Sequence, residues 1–264
     1  MGKLNDLKGF ILDLDGTTYL SHQIFPGVIE FLGMLKRQNK KFVFLTNNNS
    51  QNASAYVLKL TKMGINVEEK DICTSGQATA SYLTRQKKSP RIFVLGTPSF
   101  EKELKKAGCK LTDSNVDYVV VGSVDRTLTY EKLKKGCLLI QGGVKFIASH
   151  PDLSCPTAEG DIPECGSICA CITASTGVKP LIVGKPQKEI IAGAAVRMAV
   201  KLSEAAIIGD RLYTDIKAGK NAGIKTILVL TGETKKKDLK NSTICPDFVF
   251  DSINELYKKL GGRL

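Results

Sequence analysis

Strand-length apolar runs alternate with helix-length runs along most of the chain, and this alternation restricts it to an α/β fold with a mainly parallel sheet. Phe10–Leu14 reads as a short buried strand. Pro26–Gln38 reads as a helix opened by Pro26, with Val28, Ile29, Phe31, Leu32 and Leu35 along its apolar stripe. Lys41–Thr46 is the second strand, followed by a helix over about Gln51–Lys62 that Gly64 closes. Asp71–Thr74 and Gln77–Arg85 are the next strand and helix. After a break at Lys87–Pro90 a second series begins, with strands at Arg91–Leu95, Tyr118–Val121 and Lys145–Ala148 and helices at Phe100–Lys106 and Tyr130–Gln141. A stretch carrying Pro151, Pro156, Gly160 and Pro163 precedes a small-residue helix over Gly166–Ser175. The last third returns to the first pattern: helices at Ile190–Val200, Tyr213–Ala222 and Ile253–Leu260, strands at Ala205–Ile208, Thr226–Leu230 and Phe248–Phe250. The layout predicts a doubly wound parallel-sheet core, residues 1–78 and 181–264, interrupted by a smaller inserted α/β domain at 79–180.

Composition narrows the function classes. With 42% hydrophobic and 24% charged residues and no low-complexity tract, the chain is neither disordered, collagen-like nor a coiled coil. No apolar run approaches the ~20 residues of a membrane span, so no membrane partner is expected. The opening MGKLNDLKGF shows no apolar signal region, which leads to an expected cytoplasmic location. The net charge of +12 would suit nucleic acid or small anions, but the lysines are scattered and there is no Trp. Exposed aromatics for base stacking are therefore not expected, and neither is a nucleic-acid partner. The eight cysteines are spread out, and the spacing of Cys165, Cys169 and Cys171 does not match paired zinc ligands. In the small-residue helix cysteine reads as a small buried hydrophobe, and the spread of the eight argues for a reducing compartment.

Four motifs carry chemistry. Asp13-Leu14-Asp15-Gly16-Thr17 places two carboxylates at or just past a strand end, and Gly16 permits a tight turn after them. Such buried charge is expensive unless paired or bound to a cation, although a plain turn with Asp at a strand end has the same pattern. Thr46-Asn47-Asn48-Asn49 supplies a hydroxyl, amides and free backbone N–H groups before a helix: an anion-binding corner or an ordinary N-cap. In Gly184-Lys185-Pro186, proline sets a turn that fixes where Lys185 points, as a phosphate-neutralising charge or a surface lysine. In Gly209-Asp210 through Asp215 a buried strand ends in one Asp, and a second follows where a helix begins. Carboxylates at a strand end suit Mg²⁺, while Asp215 alone could serve the helix dipole.

The order strand-DxDGT, strand-TN, loop-Lys-Pro, strand-GDxxxxD over essentially the whole chain resembles the haloacid dehalogenase superfamily of phosphatases. Within it the chain resembles the nitrophenylphosphatase-like (NagD-like) branch, whose large α/β cap is inserted between the second and third motifs of a Rossmann-like core. The resemblance implies Asp13 as the nucleophile that forms an aspartyl-phosphate. It implies Asp15 as the acid that protonates the leaving oxygen and then activates water. Thr46, Asn47 and Asn48 would hold the phosphoryl group, together with Lys185. Mg²⁺ would be held by the side chain of Asp13, the backbone carbonyl of Asp15 and Asp210, with Gly16 and Asp215 in support. The implied partner is a small phosphorylated metabolite, and caps of this kind often pair, so a homodimer through the cap is an expectation.

The cap departs from the branch pattern: His150-Pro151-Asp152 stands where members often carry Asn-Pro-Asp, and Pro163-Glu164-Cys165-Gly166 where they often carry Pro-Gly-x-Gly. The loop Ser149–Gly160 is expected to face the active site, with His150 either a substrate contact or a satisfied structural histidine. Three rivals share parts of the pattern. A phosphomutase would return the phosphoryl group to substrate. A dehalogenase would not need the acid/base at Asp15. A non-catalytic phosphate- or nucleic-acid-binding protein would not need every catalytic position filled. Sugar phosphates, nucleoside monophosphates, glycerol or glycolate phosphates and pyridoxal phosphate all remain open as substrates.

Overall fold

The computed structural model describes residues 2–157 and 159–262; Ala158 of the Ser149–Gly160 loop and both chain termini lie outside the described residues. The chain forms two compact units. One takes residues up to Thr46, Tyr56–Cys73 and everything from Lys185; the other takes Asn47–Ala55 and Thr74–Gly184.

The first unit is built on a six-stranded sheet, ordered Phe248–Phe250, Lys225–Val229, Ala205–Gly209, Gly9–Leu12, Lys41–Thr46, Ile72–Thr74. Gly9–Leu12 pairs in parallel with both central neighbours, Gly9 opposite Lys41 on one side and Ala205 on the other. All four of its residues are buried. A parallel sheet covered on both faces needs such uninterrupted apolar strands. Helix Val28–Arg37 covers it with Val28, Phe31, Leu32, Met34 and Leu35, and Phe31 meets Phe10 edge-on at 5.7 Å between ring centroids. Helix Lys188–Met198 buries Ile190, Ile191, Ala194, Ala195 and Met198. Successive strands run to opposite sides of Gly9–Leu12, so the ends of Gly9–Leu12 and Ala205–Gly209 form a topological switch point, where open α/β sheets bind ligands.

The second unit has its own five-stranded sheet, ordered Leu181–Ile182, Lys145–Ala148, Tyr118–Val121, Arg91–Leu95, Lys110–Leu111. One face packs around Leu83, Ile92, Phe100, Leu104 and Val120; the other packs around Leu95, Val119, Val121, Ile140 and Ile172. The α/β fold class is as expected, but two local readings differ. Part of the expected loop Ser149–Gly160 is a strand, Ser154–Thr157, paired antiparallel with Gly160–Pro163. Prolines are tolerated there because each strand of an isolated pair has a free edge that needs no N–H donor. The expected helix Tyr213–Ala222 instead begins as a π-helical turn at Leu212–Ile216 and becomes α-helical only over Lys217–Ala222. The wider turn lets Asp215 accept a hydrogen bond from the Arg211 amide at 3.1 Å while reaching inward. Among the described residues no helix is long and apolar enough to cross a membrane.

The edge strand Phe248–Phe250 is anchored by the residue before it. The Asp247 carboxylate accepts from the Thr226 hydroxyl at 2.7 Å and the Thr226 amide at 3.0 Å and pairs with Lys220 at 3.0 Å. Partial burial pushes its pKa up, but these bonds outweigh it and hold the value down at about 2. A depressed carboxylate pKa stabilises the fold above the unfolded value near ~3.9, and that contribution is lost as pH falls toward 2. Asp247→Asn should therefore lower stability by about 1 kcal/mol at pH 7, the carboxylate being partly solvated. In urea unfolding the gap to the parent protein should narrow as pH drops below 4.

Candidate active site

The site is assembled from strand ends of the first unit. Asp13 directly follows Gly9–Leu12, and its amide donates to the Ile208 carbonyl of the neighbouring strand at 2.9 Å. The Thr18 hydroxyl donates back to the Asp13 carbonyl at 2.6 Å, closing the turn. Gly16 sits in the left-handed region (φ +84), and a β-carbon there would lie 2.6 Å from Asp210 Oδ2, so both the turn and the close approach require glycine. Asp210 directly follows Ala205–Gly209 and is 1% exposed. Its Oδ1 accepts from the Thr17 hydroxyl at 3.0 Å and its Oδ2 from the Glu233 amide at 2.7 Å.

Lys185 ties the carboxylates together. Its ammonium lies 2.5 Å from Asp13 Oδ1 and 2.6 Å from Asp215 Oδ1, with the Leu45 carbonyl at 3.3 Å. One carboxylate oxygen from each of Asp13, Asp210 and Asp215 lies within 4.8 Å of the others. Burial, together with the charge of Asp215, raises the Asp13 pKa well above the usual carboxylate range, against the pull of Lys185. Burial and Asp215 likewise push Asp210 up to about 6, opposed by the Glu233 amide and Arg211. Burial by itself would pull the Lys185 pKa down, but Asp13 and Asp215 more than reverse this and the ammonium keeps its proton. Asp15 is half-buried and outside the carboxylate cluster. Burial raises its pKa too, with Lys59 and Arg211 holding it back.

The structure thus brings Asp13, Lys185, Asp210 and Asp215 into one cluster, with Asp15 and Gly16 on the turn beside it. Thr46 is buried at the end of strand Lys41–Thr46 in the same unit. Asn47 and Asn48 belong to the second unit. There the Asn47 amide donates to Asp152 Oδ1 at 3.3 Å, and Asn48 Oδ1 accepts from the Ser50 hydroxyl at 2.6 Å. Thr17, Arg211 and Glu233 were not singled out in the sequence. Thr17 and Arg211 lie inside recognised motifs, while Glu233 contributes a backbone group, which no residue type reveals.

The second unit holds a charge cluster of its own. His150 is 1% exposed; its Nδ1 lies 3.6 Å from Asp152 Oδ2, and its Nε2 lies 3.4 Å from Ser123 Oγ and 3.9 Å from Glu164 Oε2. Burial would lower its pKa, but the thiolate form of Cys165, with Asp152 and Glu164, pushes it up to about 9. His150 also lines a cavity of about 460 Å³ with Pro151, Cys169, Thr173, Lys179 and Ile182.

Comparison with known proteins gives a consistent picture. Residues 10–110 match the profile of the haloacid dehalogenase-like hydrolase family, and residues 182–256 match a HAD-hydrolase-like profile. The chain is 37% identical over 248 residues to 5'-nucleotidase YutF of Bacillus subtilis, covering 94% of this chain and 96% of the relative. A 4-nitrophenylphosphatase structure from Thermotoga maritima superposes with a TM-score of 0.93 at 48% identity, covering 97% of this chain and 98% of that one. A glycerol phosphate phosphatase from Mycobacterium tuberculosis, in complex with magnesium, superposes with a TM-score of 0.89 at 27% identity, covering 96% and 78%.

Removing the shared cation should expose how much the cluster depends on it. Lys185→Met leaves Asp13 and Asp215 buried without their partner, and should cost about 3 kcal/mol in urea unfolding at pH 7 with chelator present. Asp13, raised further without the ammonium, would take up a proton on acidification. The deficit should therefore shrink at pH 5, and adding Asp215→Asn should recover part of it.

Proposed function

The chain belongs to the haloacid dehalogenase-like hydrolases, and from that premise we propose that it hydrolyses small phosphomonoesters through an aspartyl-phosphate at Asp13. The observation that carries this reading is the Lys185 ammonium, 2.5 Å from Asp13 and 2.6 Å from Asp215, beside the third carboxylate Asp210 at the sheet's switch point. The similar proteins named as a 5'-nucleotidase, a 4-nitrophenylphosphatase and a glycerol phosphate phosphatase support the same substrate class.

The donor set fits a hard divalent cation. It offers oxygen ligands only, and its three buried carboxylates outnumber the ammonium that pairs with two of them. We assign Asp13, the Asp15 carbonyl and Asp210 to Mg²⁺, with Asp215 in support. Bound Mg²⁺ would offset the charge of the nucleophile and of the equatorial phosphate oxygens.

The residues of the chain do the rest. Asp13 attacks phosphorus, and the bond to the leaving oxygen breaks as Asp15 gives that oxygen its proton. Asp15, now ionised, takes a proton from water, which attacks the phosphorus and frees Asp13 and inorganic phosphate. Asp15 must therefore alternate between two protonation states, and a burial-raised pKa suits the first of them. Lys185 and the Thr46 hydroxyl, with Asn47 and Asn48, neutralise or hydrogen-bond the phosphoryl oxygens. In this reading residues 79–180 form the cap. Since every phosphomonoester presents the same phosphoryl group, leaving-group selection falls to the loop Ser149–Gly160, with His150 beside its cavity.

Hydrolysis of p-nitrophenyl phosphate near neutral pH should stop after exhaustive chelation and return with Mg²⁺. Asp13→Asn should abolish turnover, while Asp15→Asn should slow both half-reactions by roughly 10²–10⁴. Covalently bound labelled phosphate on the Asp13→Asn protein would remove Asp13 as nucleophile. For the cap, His150→Asn, Asp152→Asn or Cys155→Ser should change relative kcat/KM among natural phosphomonoesters by ~10-fold, about 1.4 kcal/mol, with Mg²⁺ dependence intact. Equal scaling of every substrate by all three would discard the loop as the selecting element.

A further inference from the structure

The short loop after strand Lys225–Val229 lies outside all four motifs, yet it closes on the carboxylate cluster from one side. The Glu233 amide donates to Asp210 Oδ2 at 2.7 Å, and the Thr234 amide donates to the Asp210 carbonyl at 3.2 Å. The Thr231 hydroxyl donates to the Gly16 carbonyl at 2.6 Å, one residue beyond Asp15. The Glu233 carboxylate pairs with Arg211 Nε at 3.0 Å, so the same residue grips both sides of the Asp210–Arg211 peptide. Thr231, Glu233 and Thr234 therefore hold the Asp210 side chain, the Asp210 backbone and the turn of the DxDG segment.

Gly232 shows how tightly this is built. A β-carbon at that position would lie 1.9 Å from Asp210 Oδ2 and 2.4 Å from its Cγ, distances no real contact tolerates. Its φ lies outside the left-handed region, and the three nearest atoms that a β-carbon would meet all belong to Asp210. The two Asp210 oxygens each receive one donor, Thr17 on Oδ1 and the Glu233 amide on Oδ2. A carboxylate oxygen has two acceptor sites, so this arrangement locks the rotamer and leaves a lone pair on each oxygen for a cation. Groups that orient a metal ligand in this way commonly govern affinity by 10–100-fold.

We propose that Thr231–Thr234 is a positioning element for the divalent cation, acting through Asp210 and the Asp15–Gly16 turn, with Gly232 and the Thr231 hydroxyl as its decisive features. In this proposal the residues act through Asp210 and the turn, not as ligands of the ion or of the phosphoryl group. The proposal rests on the metal reading given above, and it goes beyond that reading in assigning a fifth sequence segment to the site.

The test uses the full chain, stripped by chelation, with Mn²⁺ as the probe and free Mn²⁺ read by electron paramagnetic resonance; calorimetry with Mg²⁺ gives a second measure. Gly232→Ala should weaken Mn²⁺ binding by roughly 10–100-fold. Thr231→Val, which keeps the side-chain shape and loses the hydroxyl, should weaken it by about 10-fold, and Thr231→Ser should restore it to within about threefold, both on the same scale. Thermal unfolding of the chelated variants checks folding. Should Gly232→Ala fail to fold, the Thr231→Val and Thr231→Ser pair decides. If the parent protein binds Mn²⁺ and the folded variants bind it equally well, the loop has only a structural role and the proposal falls while the metal reading stands. If the parent binds neither ion, both fall together.

Discussion

The ammonium of Lys185, held between Asp13 and Asp215, is the contact on which the site depends. Three carboxylates are buried within 4.8 Å of one another, an arrangement whose desolvation and mutual repulsion would not be tolerated in a folded core without positive charge. Lys185 supplies part of that charge from a position 172 residues from Asp13 in sequence. It is the first residue of the last stretch of the first unit, so its pair with Asp13 joins chain segments separated in sequence by the second unit, while its pair with Asp215 lies within that last stretch. The same pairs leave three carboxylates to one ammonium, a donor set consistent with a divalent cation.

Sheet topology explains why the charges meet. Gly9–Leu12 and Ala205–Gly209 are direct parallel neighbours, so the residues that follow them, Asp13 and Asp210, emerge side by side. Close approach of acidic side chains to neighbouring backbone is possible only where no β-carbon intervenes. Gly16 and Gly232 provide that room against Asp210. The π-helical turn at Leu212–Ile216 serves the same end by a different route, carrying Asp215 inward where a regular helix would set a different reach.

The second unit solves a smaller version of the same problem. His150, Asp152, Glu164 and Cys165 bury charge of both signs, and each relieves the others: His150 is pushed up to about 9, while Cys165, whose burial alone would raise it, is brought down to about 7 by the Cys169 thiol and His150. Such a network holds the start of the Ser149–Gly160 loop in a defined shape, because breaking one member strands the charge of another. Asn47 joins the network through Asp152, so a residue of the second motif takes part in ordering the loop to which leaving-group selection is assigned.

Periodicity and residue type were enough to determine the α/β class and most element positions, and the order of the four motifs singled out Asp13, Asp15, Lys185, Asp210 and Asp215 as candidates. Apolar strand runs and strand-end carboxylates are properties of single segments, and those survive in one dimension. The hairpin at Ser154–Thr157 and Gly160–Pro163 was not legible, since its prolines are acceptable only on a free edge, which is a fact about pairing. The π-helical turn was hidden too, because residues 213–222 carry ordinary helical spacing and the deviation arises from the Asp215 carboxylate bonding Lys185 and the Arg211 amide. Only the tertiary structure decided that His150 is buried against two carboxylates, and that a backbone amide at Glu233 and the absence of a side chain at Gly232 shape the environment of Asp210. Backbone donors and empty volumes have no letter of their own: they come into being when distant strand ends are packed against one another.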